Sequence, residues 1–486
     1  MKPIKPFQPE LQVRLHKTVG RGTTNGRDAT SQRFRGSVAD TIIDLTPLLQ
    51  ADGSQVQTQK GLGDPAGSFT ITMPDMPLKR GGGLETVYGL IEPMDMVEIR
   101  MRHGAPAAPG KVPIVMRGFV TDVSRSESID GGTPRRTVTI SGQDYGKVWQ
   151  ILQINFFAGY LMGKVYLSSF ALFEQYGVGY KTVLPPGEFF TDVVQKVLNP
   201  YLQKLLPDSS ILPRELTVDT ASLVKGGTVS PGIQAREGTI YELLRSFGDV
   251  GAWNEMFVED REDGVAAVFR PAPFLDLTTG ERIRADGPAP VYVDVEADAV
   301  ASLQVSRSDA NVANFFWVDA PRFNMMTDLF RRQAADASND PTVVLDSYAN
   351  ADPNLYGVRV MRVGTELGGD GLTTHNSGTK AAEHSQTTDT MKAWVDLRRA
   401  ELVKANKDNV LMERGSAALR GDERLRPGVY LRIKRGSFTS TYYVTAVSHS
   451  FVPGTGFFTN VTLDRGNGFV RRITESSSPY LNELKD

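Results

Sequence analysis

The sequence contains no cysteine among its 486 residues. This excludes a disulfide scaffold and a cysteine-ligated zinc site, and it suits a protein that folds in a reducing cytosol. Positive and negative side chains nearly cancel and leave a formal net charge of -2. No overall electrostatic attraction to nucleic acid or to an anionic membrane is therefore expected.

Long hydrophobic runs are also missing. Residues 151–163 and 165–173 carry no charge, but Lys164 divides them, and neither run reaches the roughly 20 residues that a membrane-spanning helix needs. For the apolar segment 151–180 we expect a buried helix or a subunit interface rather than a membrane-active segment. The first residues contain no apolar signal segment.

Signatures of catalysis are scarce. Of the five histidines, His375 and His384 lie in a polar loop beside serines, where metal ligation or a Ser-His pair is conceivable. No His-Glu-x-x-His or Gly-x-Ser-x-Gly motif accompanies them. His449 lies on an apolar strand face and is expected to be packed, and the carboxylates of residues 259–263 are expected on a solvated hairpin turn. The sequence predicts no catalytic residue, no metal site and no cofactor.

A β-rich pattern occurs twice in the chain. Three strands with alternating apolar residues are predicted at 429–433, 442–448 and 457–463, and a similar series occurs at 93–99, 119–126 and 137–140. The best match places Met96 with Tyr430, Phe119 with Tyr443 and Val138 with Val461. Either the chain contains a duplicated β unit, or two β-meanders resemble each other by chance.

Changes in composition divide the chain further. Glycine-rich and basic residues near the start predict a flexible arm, and apolar residues at every fourth position from Phe189 to Leu205 predict a helix. Another helix is predicted over 388–406, and Thr239 with Glu242 forms the pattern of a helix capping box. The predicted parts are an arm (1–33), a first β-barrel domain (34–150), a helical and α+β insert (151–290), a second β-barrel domain (291–320 plus 426–470), an insert with one long helix (321–425) and a tail (471–486).

Several of these motifs resemble a known family. They are Pro427-Gly428, the strand 429–433, Tyr442 to His449 and Thr459 to Arg465, with support from residues 138–144 and 311–314. The sequence resembles the baseplate hub proteins of contractile phage tails, the late control protein D and gp27-like group, whose fold also opens the spike proteins of type VI secretion. The resemblance implies a mainly β fold with α+β insertions, in which two similar small β-barrels are each interrupted or followed by a mixed insert.

The resemblance also implies a function by assembly. Three chains, each with two similar barrels, would form a homotrimeric ring with pseudo-six-fold symmetry that joins a six-fold tail tube to a three-fold central spike. The implied partners are the tube protein, the spike protein and other baseplate proteins, with tape-measure protein or DNA passing through the lumen. The implied location is the tail baseplate of a virion assembled in the cytoplasm of the host bacterium, and no enzyme activity or membrane span is expected.

Strand edges are the natural contacts of such a ring, because their unpaired N–H and C=O groups can extend a sheet into the next subunit. The candidate subunit-interface residues are Met94, Met96 and Glu98 on one strand and Tyr430, Arg432 and Lys434 on its repeat partner. Two alternatives stay open: a tail-associated peptidoglycan hydrolase, which would act on purified peptidoglycan, and a β-rich tail protein that binds a host glycan.

Overall fold

The structure is a computed structural model of the whole chain. The residues that it describes are 9–24, 27–35, 42–80, 83–104, 111–130, 133–154, 161–162, 165–166, 186–206, 212–220, 228–229, 238–285, 287–319, 349–365, 367–368, 381–436 and 438–467. Most of the apolar segment 151–180, His375 and the C-terminal tail lie outside these residues.

Strands make up about half of the described chain. The first third contains β1 (Glu10–His16), β2 (Val19–Thr24), β3 (Arg27–Arg35), β4 (Ile42–Asp44), β5 (Gln55–Gly61), β6 (Ser68–Pro74), β7 (Pro77–Arg80), β8 (Gly83–Thr86), β9 (Met96–Arg102), β10 (Ile114–Asp130), β11 (Thr133–Asp144) and β12 (Gln153–Ile154). The middle contains β13 (Leu161–Met162), β14 (Val165–Tyr166), β15 (Leu216–Asp219), β16 (Thr228–Val229), β17 (Gly238–Thr239), β18 (Asn254–Arg261) and β19 (Gly264–Pro271). The last part contains β20 (Tyr292–Glu296), β21 (Val300–Ser306), β22 (Phe315–Asp319), β23 (Val360–Gly364), β24 (Leu367–Gly368), β25 (Glu413–Arg420), β26 (Tyr430–Arg435), β27 (Phe438–Val452) and β28 (Gly456–Gly466).

Helices lie mainly between these strands. They are α1 (Val87–Leu90), α2 (Lys147–Ile151), α3 (Pro186–Val193), a π-helical turn (Val194–Leu198), α4 (Asn199–Leu205), α5 (Ile240–Phe247), α6 (Pro353–Tyr356) and α7 (Ala381–Asn406), with 3₁₀ turns at Thr46–Gln50, Ala297–Ala299 and Asp309–Asn311. The prediction of a mainly β chain with helical insertions is confirmed. No helix among the described residues combines the length and the apolar character needed to cross a membrane.

One thirteen-stranded sheet dominates the fold. Its order is β21-β25-β28-β27-β5-β6-β11-β10-β9-β1-β4, and β26 pairs with β27 and with β20. The N-terminal and C-terminal β regions are therefore joined edge to edge by the pairing of β5 with β27. Each region encloses its own apolar core, with Val13, Ile71 and Ile140 in the first and Leu431, Val444 and Leu463 in the second.

Two strands belong to a different part of the fold from the one predicted for their sequence ranges. Strand β1 belongs to the predicted flexible arm, yet it pairs with β9 and β4, and its Val13 and Leu15 are fully buried. Its apolar residues alternate with polar ones, and this alternation places one face of the strand on the core. Strand β25 belongs to the predicted insert 321–425, but it pairs with β21 and β28 in the large sheet.

The inserted helices follow their sequence signals closely. The Thr239 hydroxyl accepts a hydrogen bond from the backbone N–H of Glu242, and the Glu242 carboxylate accepts one from the backbone N–H of Thr239, so the predicted capping box is present at the start of α5. Along α3, the π-helical turn and α4, Phe189, Val193 and Val197 are buried. Helix α7 includes the predicted helix 388–406 and begins earlier. Its Arg398 is buried rather than solvated, which the basic character of this helix did not indicate.

Candidate assembly interface

Five strands of the N-terminal region have the same arrangement as five strands of the C-terminal region. We call β5, β6, β9, β10 and β11 the first β unit, and β21, β25, β26, β27 and β28 the second β unit. Across the sheet the orders are β5-β6-β11-β10-β9 and β21-β25-β28-β27-β26, with all neighbours antiparallel. The strands also follow each other in the same chain order, so both units have one topology.

The two units agree at the level of single residues. Met96 faces Phe119 in the first unit, and Tyr430 faces Tyr443 in the second. A register shift follows Val120 in β10 and, at the matching position, Val444 in β27. Such β-bulges insert one residue into one strand. Agreement in register and in bulge position favours a duplicated unit over a chance similarity of two meanders.

A rare backbone conformation is repeated as well. Met94 has φ of 74° and Gly428 has φ of 86°, and both residues occupy the turn before the equivalent strands β9 and β26. Their amide groups donate to the carbonyls of Val120 and Val444, respectively. Glycine adopts this left-handed region without cost, whereas methionine does so at the expense of strain.

The third pair of strands is offset from the sequence prediction. Val123 of β10 faces Ile140, and its counterpart Val447 of β27 faces Val461. Val461 therefore corresponds to Ile140 and not to Val138. A slip of two residues leaves every side chain on its original face of a strand, so the alternating pattern alone could not distinguish these two alignments.

The junction between the units is a short antiparallel ladder. Residues 56–61 of β5 pair with residues 446–451 of β27, from Val56 with Phe451 to Gly61 with Ala446. The ladder continues at Leu62, whose amide donates to the carbonyl of Thr445 at 2.9 Å. On the outer face, Gln57 Nε2 donates to Ser448 Oγ at 3.4 Å, and Gln55 makes the same contact with Ser450.

A buried charge cluster lies at the end of this junction. Lys60 Nζ of β5 lies 2.7 Å from Asp260 of β18 and 3.1 Å from Asp144 of β11, and both carboxylates are 2% exposed. Burial by itself would lower the pKa of Lys60, but the two carboxylates outweigh it and raise that pKa. Burial raises the pKa of Asp144, which shares this one cation with Asp260. Lys60 therefore stays charged and holds together the first unit, the insert and the junction.

His449 of β27 is packed in the same junction, opposite Thr58 of β5. Its Nδ1 lies 3.0 Å from the hydroxyl of Thr459. Burial lowers the pKa of His449 to about 4, so the ring is neutral at neutral pH. The expectation of a packed histidine agrees with this environment.

Each unit also has an edge that stays open within the chain. Strand β10 pairs with β9 along residues 114–119, and beyond this point residues 122–130 pair only with β11 among the described strands. Strand β21 pairs only with β25 in the described part of the chain. The equivalent positions in the other unit are the two sides of the β5-β27 junction.

The predicted interface residues do not lie on open edges. Strands β9 and β26 are paired on both sides, and Met96, Glu98 and Tyr430 are buried. Because an edge must be unpaired to extend a sheet, these three residues cannot do so from their present strands; a role for them at a subunit contact stays a prediction. Met94 is half-buried.

Arg432 and Lys434 retain 37% and 42% exposure of their side chains, and both contact Asp294 of β20. A role for these two residues at a subunit contact stays a prediction.

The histidines do not form a catalytic arrangement in the described residues. His103 Nδ1 lies 2.8 Å from Glu423, and Asp422 lies close enough to both for the three to share a cation. Asp422 already forms an ion pair with Arg424 at 2.6 Å, so these residues are an ion-pair network. The side chain of His384 and all of His375 lie outside the described residues.

Sequence reasoning missed the residues of the buried cluster. The sequence predicts a solvated turn for Asp260, but this residue lies within β18 and is buried. Strand β5 carries Lys60 into the sheet. The alternation of Val56, Thr58 and Lys60 with three glutamines was the available signal for this strand.

Comparisons with solved structures give distant matches over nearly the whole chain. A tail protein from Neisseria meningitidis MC58 is 11% identical, with coverage of 94% of this chain and 96% of that chain and a TM-score of 0.44. The 43 kDa tail protein of prophage MuSo2 from Shewanella oneidensis is 12% identical, with coverage of 94% and 96% and a TM-score of 0.42. Prophage tail protein gp18 from Listeria monocytogenes EGD-e is 7% identical, with coverage of 98% and 100% and a TM-score of 0.44.

No protein-family model and no curated protein matches the sequence. The three similar structures are tail proteins, which agrees with the resemblance seen in the sequence.

Proposed function

We propose that the chain is a structural hub protein of a contractile-tail baseplate, in which three copies close into a ring of six similar β units. The observation that carries this proposal is the repeated five-strand unit, whose two copies share register, bulge and strand order. A three-fold ring of such chains presents six nearly equivalent units. It can therefore contact a six-fold tube on one face and a three-fold spike on the other.

The junction within the chain supports a ring over a two-fold dimer. It joins the edge strand of one unit to the flank of a long strand in the other unit, so the two contacting surfaces differ. Contacts of this heterologous kind generate closed rings when the rotation per contact divides a full turn. A repeat of the same contact between chains would continue the sheet around the ring.

In this role the protein acts through assembly and not through catalysis. The proposed partners are a tube protein, a spike protein and other baseplate proteins, and the proposed place is the virion tail, after assembly in the host cytoplasm. The domain division is the predicted one, with β1 moved into the first β-barrel domain and β25 moved into the second.

Light scattering of the purified chain tests the proposal. Three chains of 53.2 kDa give a mass of about 160 kDa. A trimer at micromolar concentration is the expected result. A chain that stays at the mass of a monomer or a dimer across the accessible concentration range contradicts the ring.

A further inference from the structure

We infer that β21 of one subunit pairs with residues 122–127 of β10 in a second copy of the chain, in the same antiparallel register that β5 and β27 adopt within the chain. This inference rests on the proposed ring and names the contact that closes it. The expected partners are Leu303 with Glu127, Gln304 with Ser126 and Val305 with Arg125.

Positional equivalence defines both strands of this contact. Within the two units, Val56 of β5 corresponds to Leu303 of β21, because each faces the central residue of its neighbour, Ile71 or Ala417. Residues 122–127 of β10 correspond to residues 446–451 of β27, because both begin directly after the shared bulge. Replacing each strand of the internal junction by its counterpart gives β21 against β10.

Both counterpart strands are open where the junction strands are paired. Beyond Phe119, the side of β10 that faces away from β11 has no strand partner among the described residues. The outer side of β21 is likewise open in the described chain. Among the described residues, each chain thus presents one open edge and one open flank, and these are the positional counterparts of the two surfaces that pair in the internal junction.

Burial follows the same pattern. Val56 and Thr58 are buried in β5, whereas Leu303 and Val305 at the matching positions of β21 are only partly buried. Ser124 and Ser126 of β10 are exposed, and their counterparts in β27 are half-buried. A strand added to each open side would bring the first β unit and the second β unit to the same degree of burial.

The glutamine and serine residues on the outer face of the internal junction are repeated at the proposed contact. In the internal junction, Gln57 donates to Ser448 across the ladder. The counterpart of Gln57 is Gln304, and the counterparts of Ser448 and Ser450 are Ser124 and Ser126. The glutamine-serine contact of the internal junction can therefore form between subunits in the same geometry.

The chain's lack of cysteine allows a direct cross-linking test. Leu62 and Thr445 form a hydrogen-bonded pair, and hydrogen-bonded and non-hydrogen-bonded pairs alternate along an antiparallel ladder. Gln57 and Ser450 lie five pairs farther along and therefore form a non-hydrogen-bonded pair. The Cα atoms of such pairs lie about 4.5 Å apart, within the range that a disulfide spans. The proposed intersubunit counterpart is Gln304 with Ser126.

The test uses the full chain carrying Gln304→Cys and Ser126→Cys. After mild oxidation we expect covalent dimers and trimers on a non-reducing gel. The matched internal control, Gln57→Cys with Ser450→Cys, should form its disulfide without a change in chain mass. An off-register control, Gln304→Cys with Ser128→Cys, should cross-link at least about tenfold less, because diagonal neighbours lie about 7–8 Å apart.

The results distinguish failure of the proposed strand contact from failure of the proposed ring. If light scattering shows a trimer but the Gln304-Ser126 variant does not cross-link, or cross-links no better than the off-register control, the contact is refuted and the ring stands. If the unmodified chain does not form a trimer, both are refuted.

A second variant tests the same strand without cysteine. By the same alternation, the N–H of Val305 points outward toward the second subunit. Val305→Pro should leave the monomer folded, because proline is tolerated on an edge strand, and should weaken trimer formation by about tenfold or more through loss of a ladder bond. The control variant Val305→Thr introduces the residue that β5 has at the equivalent position, Thr58, and should assemble normally. If Val305→Pro assembles as well as Val305→Thr, the contact is refuted.

Discussion

The buried cation at the junction gives a quantitative prediction. Lys60→Met removes the positive charge that lies 2.7 Å from Asp260 and 3.1 Å from Asp144. Asp144 then stays buried without a cation, and Asp260 keeps only the guanidinium of Arg117, which lies 3.7 Å away. Removing one partner of a buried ion pair typically costs about 3–5 kcal/mol of unfolding free energy. We expect a loss of this size at pH 7, measured by urea denaturation followed by circular dichroism.

The pH dependence of this variant provides a sharper criterion. Burial already raises the pKa of Asp144, and loss of Lys60 removes the opposing attraction. A carboxyl group with a raised pKa in the folded state stabilises the fold at low pH and loses this effect as the pH rises through that pKa. Lys60→Met should therefore be closer to the unmodified chain at pH 5 than at pH 7.

A triple variant serves as the control. Lys60→Met combined with Asp144→Asn and Asp260→Asn removes the lysine and both carboxylates, while Arg117 keeps its ion pair with Glu98 at 3.1 Å. This variant should recover most of the lost stability at pH 7. A Lys60→Met variant within about 1 kcal/mol of the unmodified chain would refute the reasoning, as would a triple variant that is no more stable than the single one.

Three further predictions concern stability. Burial lowers the pKa of His449 to about 4, so this residue stabilises the fold above pH 6.5 and loses that effect as the pH falls. Through His449, the unmodified chain should lose about 2 kcal/mol of unfolding free energy between pH 8 and pH 5. In urea denaturation, His449→Gln should lose about 2 kcal/mol less than the unmodified chain over the same pH range. Gly428→Ala should cost about 1–3 kcal/mol, since its φ is 86° and the new Cβ would clash with Arg270 Nη2; an unchanged thermal midpoint contradicts this. Arg398→Met should cost about 3–5 kcal/mol in the same assay, because it removes the guanidinium that lies 3.2 Å from the buried carboxylate of Asp249. A loss below about 1 kcal/mol would contradict a stabilising role for this ion pair.

The repeated β unit could be predicted from the sequence, because strands are recognised by alternating apolar and polar residues bounded by turn residues. The matches of Met96 with Tyr430 and Phe119 with Tyr443 agree with the structural register. The third strand was placed two residues away from its true position, because a slip of two preserves alternation. Strand β1 also alternates, but the glycine-rich and basic residues around it favoured a flexible arm.

The contacts between distant parts of the chain could not be predicted in the same way. Lys60 and Asp260 are 200 positions apart, and no local pattern connects them. The edges of the sheet depend on which strands pair, so Met96 and Tyr430 were placed at an interface although the sheet buries them. The open edges at β10 and β21 became visible only when the pairing of every described strand was known.

The central claim is that one kind of strand junction occurs both within the chain and between chains. Electron cryo-microscopy of the purified assembly tests it most directly. The account predicts a closed ring with strong six-fold symmetry at low resolution, three-fold symmetry at high resolution, and β-sheet continuous through all six junctions. A ring whose subunits meet through other surfaces, with β21 and the end of β10 exposed to solvent, would contradict it.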